Sequence, residues 1–180
     1  MSSLFRRRSG SRVRRFDVVL LGLLLVSACN YSLTGGGGFP SDIRTIYIEP
    51  FENRTTYFDL EQEVFSKMLE ELPGAFGVTL AGQEVAHAIV RGRIIGYDDR
   101  AQDYGRDASG QISEVLQNQV ELAASIQVID VRRNVILWES SRVVGRGVYS
   151  PDAPGAEVRA REQAIRELVQ AVINGAQSQW

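Results

Sequence analysis

The chain has 180 residues, 44% of them hydrophobic and 23% charged, which is enough to bury one core and too few to expect two. Its formal charge of −2 hides an asymmetry: six arginines crowd the first fifteen positions beside one acid, Asp17, and removing these seven from 20 basic and 22 acidic residues leaves 14 against 21, a formal −7. A body so charged is not a general nucleic-acid binder, and one cysteine with one histidine, Cys29 and His87, excludes an intramolecular disulfide and a Cys/His metal cluster.

The N-terminus follows the grammar of an export signal. Behind the arginines an apolar run occupies 18–26, and small Ser27 and Ala28 close it. Nine residues rise about 14 Å as a helix, roughly half the hydrocarbon core, so a cleavable signal is predicted and a spanning helix is not. Val26-Ser27-Ala28-Cys29 resembles the bacterial lipobox, in which the signal is cut before the cysteine and the cysteine is acylated. Residues 1–28 are thus expected to be a lipoprotein signal peptide and Cys29 the lipid anchor; the alternative is a free or buried thiol after an ordinary signal. Phe16-Asp17-Val18 fits twin-arginine export poorly after Arg14-Arg15, which favours general secretion. Asn30 stands where lipoproteins retained at the inner membrane carry aspartate, so a periplasm-facing position on the outer membrane is expected.

Residues 29–42 are read as a tether, fourteen steps from Cys29 to Ile43, reaching at most about 50 Å. The glycines at 35–38 make it flexible, and they lack the preceding strand and following helix of a phosphate-cradling loop.

A single periplasmic domain is expected over 43–180. Residues 43–51, IRTIYIEPF, read as a strand. Asp59, with Gln62 three residues on, is expected to cap a helix whose stripe is Leu60, Val64, Phe65, Met68, Leu69 and Leu72, and which Pro73-Gly74 ends. Asn53-Arg54-Thr55 matches a glycosylation sequon that has little meaning in a bacterial lipoprotein. A strand over 86–97 alternates Ala88, Val90, Gly92 and Ile94 with Ile89, Arg91, Arg93, Ile95 and Tyr97. The next, 119–131, puts Val120, Leu122, Ala124, Ile126 and Val128 on one face, and DVRRN at 130–134 turns into a strand over 135–149. A closing helix over 156–176 carries Val158, Ile165, Leu168, Val169, Val172 and Ile173. The expected fold is α+β: a two-layer sandwich of order β-α-β-β-β-α, two helices on one face of a mainly antiparallel four-stranded sheet. Val64, Met68, Leu122, Ile126, Leu168 and Val172 should be buried together.

Chemistry is sparse. His87 has no nucleophile beside it, and Ser140-Ser141 lie in a strand without a nucleophile elbow. Asp98, Asp99, Asp103 and Asp107 lack the EF-hand spacing, so 98–111 is read as a solvated hairpin loop and not a metal site. Gly145-Arg146-Gly147 lacks the rest of a dinucleotide fingerprint. No catalysis, cofactor or metal is expected.

Five segments together resemble the LptE family of lipopolysaccharide-assembly lipoproteins: Ala28-Cys29-Asn30-Tyr31-Ser32-Leu33, IYIEPFENRT at 46–55, AHAIVRGRI at 86–94, VIDVRRNVILWE at 128–139, and the late helix running toward Trp180. The resemblance implies a non-enzymatic partner of the outer-membrane β-barrel LptD that sits as a plug in the barrel, helps it assemble, and contacts lipopolysaccharide. It transfers no ligand residues. Arginine binds phosphate bidentately, so Arg91 and Arg93 on a strand face and Arg132 and Arg133 on a hairpin tip are candidate contacts with the barrel or lipopolysaccharide; the alternative is that they solvate a sheet face and a turn. Fold alone leaves a second function open, a periplasmic protein-binding lipoprotein such as a peptidoglycan synthase activator or a secretion-assembly subunit.

Overall fold

Fully buried Ile46 and Ile48 alternate with half-buried Thr45 and Tyr47 along β1 (Thr45–Ile48). The computed structural model describes residues 39–106 and 110–179, all within one compact unit from Gly37 to Trp180. The expected signal peptide, Cys29, the glycine tract, Asp107 and Trp180 lie outside the described residues. After β1 come β2 (Glu52–Asn53), α1 (Leu60–Phe76), β3 (Thr79–Leu80), β4 (Ala88–Arg106), β5 (Ile112–Asp130), β6 (Val135–Tyr149) and α2 (Ala156–Gln177).

The fold is α+β with two helices, as expected, but the sheet has six strands and is mixed. Its order is β3-β1-β4-β5-β6, with β2 also on β4. The pairs β1·β3, β1·β4 and β2·β4 are parallel, and only β4·β5 and β5·β6 are antiparallel. The cause is α1. A helix between two strands carries the chain back to its starting end, so the next strand runs parallel to the first. β2 and β3 are two residues each, too short for any periodicity to register.

The stretch 43–51 is therefore not one strand. Pro50 interrupts it, and β1 and β2 lie in line along the same edge of β4, joined to it by Glu49 N–H to Val90 O at 2.9 Å and Arg54 N–H to Ile94 O at 3.0 Å. The break drops the Phe51 ring onto Gly92, where an added Cβ would lie 2.0 Å from the ring. Asn53 then braces the turn into α1: its amide donates to Tyr57 O and Glu61 Oε2, both at 2.8 Å, and its Oδ1 accepts from the Thr55 amide and hydroxyl. The sequon match is thus a structural turn.

Two helix expectations need correction. Asp59 precedes α1 in the left-handed region, φ 67°, and its side chain makes no cap; Asn53 holds that end instead. Pro73 does not stop the helix, which continues to Phe76. Proline lacks one donor near the last turn, but Leu72 and Phe76 are buried and keep the chain helical until Gly77, φ 65°. In α2, Val158 is exposed, and Ala160 and Ala164 take the buried positions.

The strands β4 and β5 run nineteen residues each. The supposed loop 98–111 is mostly strand, forming with β5 a ribbon that outruns β6, whose last pair is Tyr149 with Asn118. A bulge between Ile94 and Gly96 shifts the alternation. Tyr97 is thereby turned to the inner face, against Tyr57 at 4.5 Å between ring centroids, and not to the outer face with Arg91 and Arg93.

All six residues expected to share the core are buried at 0–1% exposure. The closest packing lies between α2 and β6. A Cβ at Gly145 would stand 1.9 Å from Ala164 O and one at Gly147 1.9 Å from Ala160 O, while Gly175 on the helix makes room for Trp138 on the strand. At the other end of α2, Arg161 ties the two layers together. Its side chain is 12% exposed, bonds Glu63 of α1 at 3.1 Å and the Tyr57 hydroxyl, and lies 5.1 Å from the Tyr57 ring.

The packing sets the cost of substitutions. Leu168→Ala should cost about 2–5 kcal/mol by cavity formation, and Gly147→Val should cost more than the usual overpacking penalty of about 1–3 kcal/mol, because backbone and not a flexible side chain blocks the new methyls; chemical denaturation measures both, and a near-wild-type midpoint for Gly147→Val would refute the contact. Burial pushes the Tyr97 phenol up to about 12, outweighing the nearby Arg161 charge, and its buried hydroxyl makes no hydrogen bond of acceptable geometry. A raised pKa gives stability that is full below the unfolded value near 10 and lost as pH rises toward 12. Absorbance titration should show a last phenol near pH 12 that Tyr97→Phe removes.

Candidate partner interface

Both helices contribute to one core with the inward residues of the sheet, so the opposite face is left uncovered by any described segment. It forms an open groove of about 930 Å³ lined by Glu49, Glu52, Arg91, Arg93, Gln127 and Glu139 among others. Register explains the arrangement. Arg91 is opposite Gln127, which is opposite Glu139, and Arg93 lies between Glu52 and Ser125. Long polar side chains on the outer positions of β4, β5 and β6 therefore form belts across the sheet.

Arg91 and Arg93 both line this groove from β4, and neither is a free cation. Arg91 bonds Glu49 bidentately, at 2.7 and 3.0 Å. Arg93 donates to Glu52 at 2.6 Å, and Arg54 takes the other oxygen of that carboxylate at 2.9 Å. These hydrogen bonds hold the Glu49 carboxyl, and likewise Glu52, below the usual carboxylate range. A depressed carboxyl contributes stability above its unfolded pKa and loses it as pH falls through the folded value. Acid below about 4.5 therefore loosens the clasp of β1 and β2 on β4.

Arg132 and Arg133 occupy the β5–β6 turn, apart from that groove. Both reach Asp42, which precedes β1; Arg132 also bonds Asp42 O at 3.0 Å. Asp130, fully buried, shapes the turn by accepting the Arg132 and Arg133 amides at 2.8 and 3.0 Å. The tip thus fastens the incoming chain to the sheet. His87 has a similar duty: its Nδ1 accepts the Arg44 amide at 3.2 Å, which is a structural use of the ring. Among the described residues no group of three His, Cys, Asp or Glu side chains is placed to hold a metal.

A third arginine set carries no mark in the sequence. On the ribbon side of the outer face Glu121 accepts Arg142 at 2.9 Å and Arg146 at 3.1 Å, with Arg100 at 3.7 Å, and Arg100 also reaches Asp98 at 3.4 Å. Three guanidiniums, each more than half exposed, share two carboxylates. The register pairs Asp98 with Glu121 and Glu121 with Arg146. Reading 98–111 as a loop conceals that alignment.

No curated protein matches this chain. Among solved structures, the hypothetical protein CT253 from Chlamydia trachomatis is 12% identical at a TM-score of 0.51, covering 74% of this chain and 98% of its own. XCC0632 from Xanthomonas campestris is 7% identical at 0.51, covering 76% and 85%. Both show a shared fold and nothing more. A minor lipoprotein from Acinetobacter baumannii is 14% identical at 0.48, covering 76% and 94%. A family model described as LptE: Lipopolysaccharide-assembly matches residues 43–174, the span that contains the β1–β2 line, the β5–β6 turn and nearly all of α2. On that match this chain belongs to the LptE family of lipopolysaccharide-assembly lipoproteins.

Proposed function

We propose that the protein is a non-enzymatic outer-membrane lipoprotein, anchored through Cys29, that partners an LptD-like β-barrel in the assembly and transport of lipopolysaccharide, with the uncovered sheet face as its docking surface. The observation that carries this reading is the outer face itself: a polar groove on rigid strands, half of whose lining comes from IYIEPFENRT and AHAIVRGRI, both inside the span that the family model matches. A barrel lumen is lined by polar side chains, and a belted polar face is a complementary surface for it.

The arginine sets differ in what they can offer. Arg91 is held bidentately by its own carboxylate and Arg93 shares Glu52 with Arg54 alone, whereas Arg100, Arg142 and Arg146 all converge on Glu121, where one oxygen serves both Arg100 and Arg146. The latter set is the better fit to an anionic lipid headgroup, because surplus donors remain when one oxygen is shared. Arg132 and Arg133 are candidates for the barrel rim.

Two outcomes test the reading. Mass spectrometry of the mature protein should find Cys29 acylated at a new N-terminus, and Cys29→Ser should leave precursor uncleaved or mislocalised; an unmodified cysteine contradicts the anchor. The double reversals Arg142→Glu/Arg146→Glu and Arg132→Glu/Arg133→Glu should each lower stability but leave the domain folded, since the four arginines are half or more exposed while the Glu121 and Asp130 carboxylates behind them are 14 and 0% exposed. Both should reduce recovery of a β-barrel partner on native purification from outer membranes, and only the first should also reduce retention of lipopolysaccharide. Wild-type recovery of both by both variants would remove these arginines from the function.

A further inference from the structure

We infer that the end of the domain where the tether arrives is a lipid-contact surface, seating on the phospholipid leaflet that holds the acyl chains. This rests on the acylation of Cys29 and is independent of the barrel.

The chain becomes fixed at this end. Phe39 is buried and stacks on Phe76 at 4.3 Å between centroids, and Asp42 is held by Arg132 and Arg133. Register places Leu80, Ile46, Ala88, Asp130 and Val135 in one row across the sheet at that same end. Val131 is tied beside them through its amide to His87 O, and the Val85 carbonyl lies by the Thr45 hydroxyl. On this rim Leu80, Val85, Val131, Val135 and Ile136 are 48, 69, 43, 45 and 52% exposed. The outer face continues the character inward, because Tyr47, Ile89, Ile129 and Ile136 are in direct register.

Isolated exposed apolar residues are ordinary. Five on one rim, at the end that receives a lipid tether, are a surface in need of a cover. Only nine residues lie between Cys29 and Phe39, and those ten steps keep Phe39, at this end of the domain, within about 35 Å of the acylated residue when that segment is extended. At such effective concentration a weak apolar contact suffices. Exposed Arg44, Arg132 and Arg133 border the rim, and their stems can lie along acyl chains while the guanidiniums stay at the headgroups. Asp42 pairs with both Arg132 and Arg133, and Asp130 approaches Arg133 at 3.6 Å, so insertion and not electrostatic attraction provides the hold.

The acylated full-length protein, reconstituted in vesicles of phosphatidylethanolamine and phosphatidylglycerol, tests this directly. Its only native cysteine carries the lipid, so Val85→Cys, Ile136→Cys and Phe58→Cys can each be labelled with an environment-sensitive fluorophore. Phe58 is 85% exposed next to the start of α1, at the opposite end. The labels at 85 and 136 should lose most of their emission to a shallow nitroxide lipid, at low and high salt alike, while the label at 58 keeps its emission. Equal quenching at all three positions, or quenching at 85 and 136 abolished by salt, would overturn the inference. So would self-quenching between labelled copies, which would make a second copy the cover. If mass spectrometry finds Cys29 acylated and the rim labels still stay bright, the lipid contact fails while the anchor stands; an unacylated cysteine sinks both.

Discussion

A Cβ on Gly145 or Gly147 would stand 1.9 Å from a carbonyl oxygen of α2, so helix and edge strand meet backbone to backbone. Such an approach admits only small residues, and α2 answers with Ala160 and Ala164. The position of the helix also protects the edge: Glu167 accepts the Arg146 amide at 3.1 Å, using a donor that an edge strand would otherwise present to other chains. With α2 seated on β6 and α1 beside it, Val90, Ile94, Val120, Leu122, Ile126 and Val128 are sealed, and the other face is left uncovered by any described segment.

The motif IYIEPFENRT has a physical role at almost every position. Ile46 and Ile48 enter the core, Pro50 breaks the strand, and Phe51 fills the notch above Gly92. Asn53 braces the turn that launches α1, while Glu49 and Glu52 hold Arg91 and Arg93 across the strand boundary. The same ten residues thus set the sheet edge, orient a helix and furnish the rim of the groove.

Much of this is legible in the amino-acid sequence alone. Strong periodicity locates both ends of β6, α2 to within a residue, and all six core positions. What it misses, it misses for local reasons. Two-residue strands have no period, Pro73 reads as a stop unless one knows that Phe76 beyond it is buried, and the bulge at Ile95 reverses the facing of Tyr97 without any mark in composition. The polar run 98–111 hides a strand, and with it the Arg100, Arg142 and Arg146 set. Arg91, Arg93, Arg132 and Arg133 stand out in the sequence, but their carboxylate partners lie about 40 or 90 residues away, a distance no single-sequence pattern spans.

If the protein works as proposed, the uncovered sheet face, and not the helical layer, meets the partner. Site-specific photo-crosslinking in cells tests this most directly, with the probe at Ser125 or Gln127 on the outer face and, for comparison, at Ser66 or Arg166 on the exposed sides of α1 and α2. Capture of a β-barrel protein is expected from the two sheet positions and none from the two helix positions. Capture from the helices alone would contradict it.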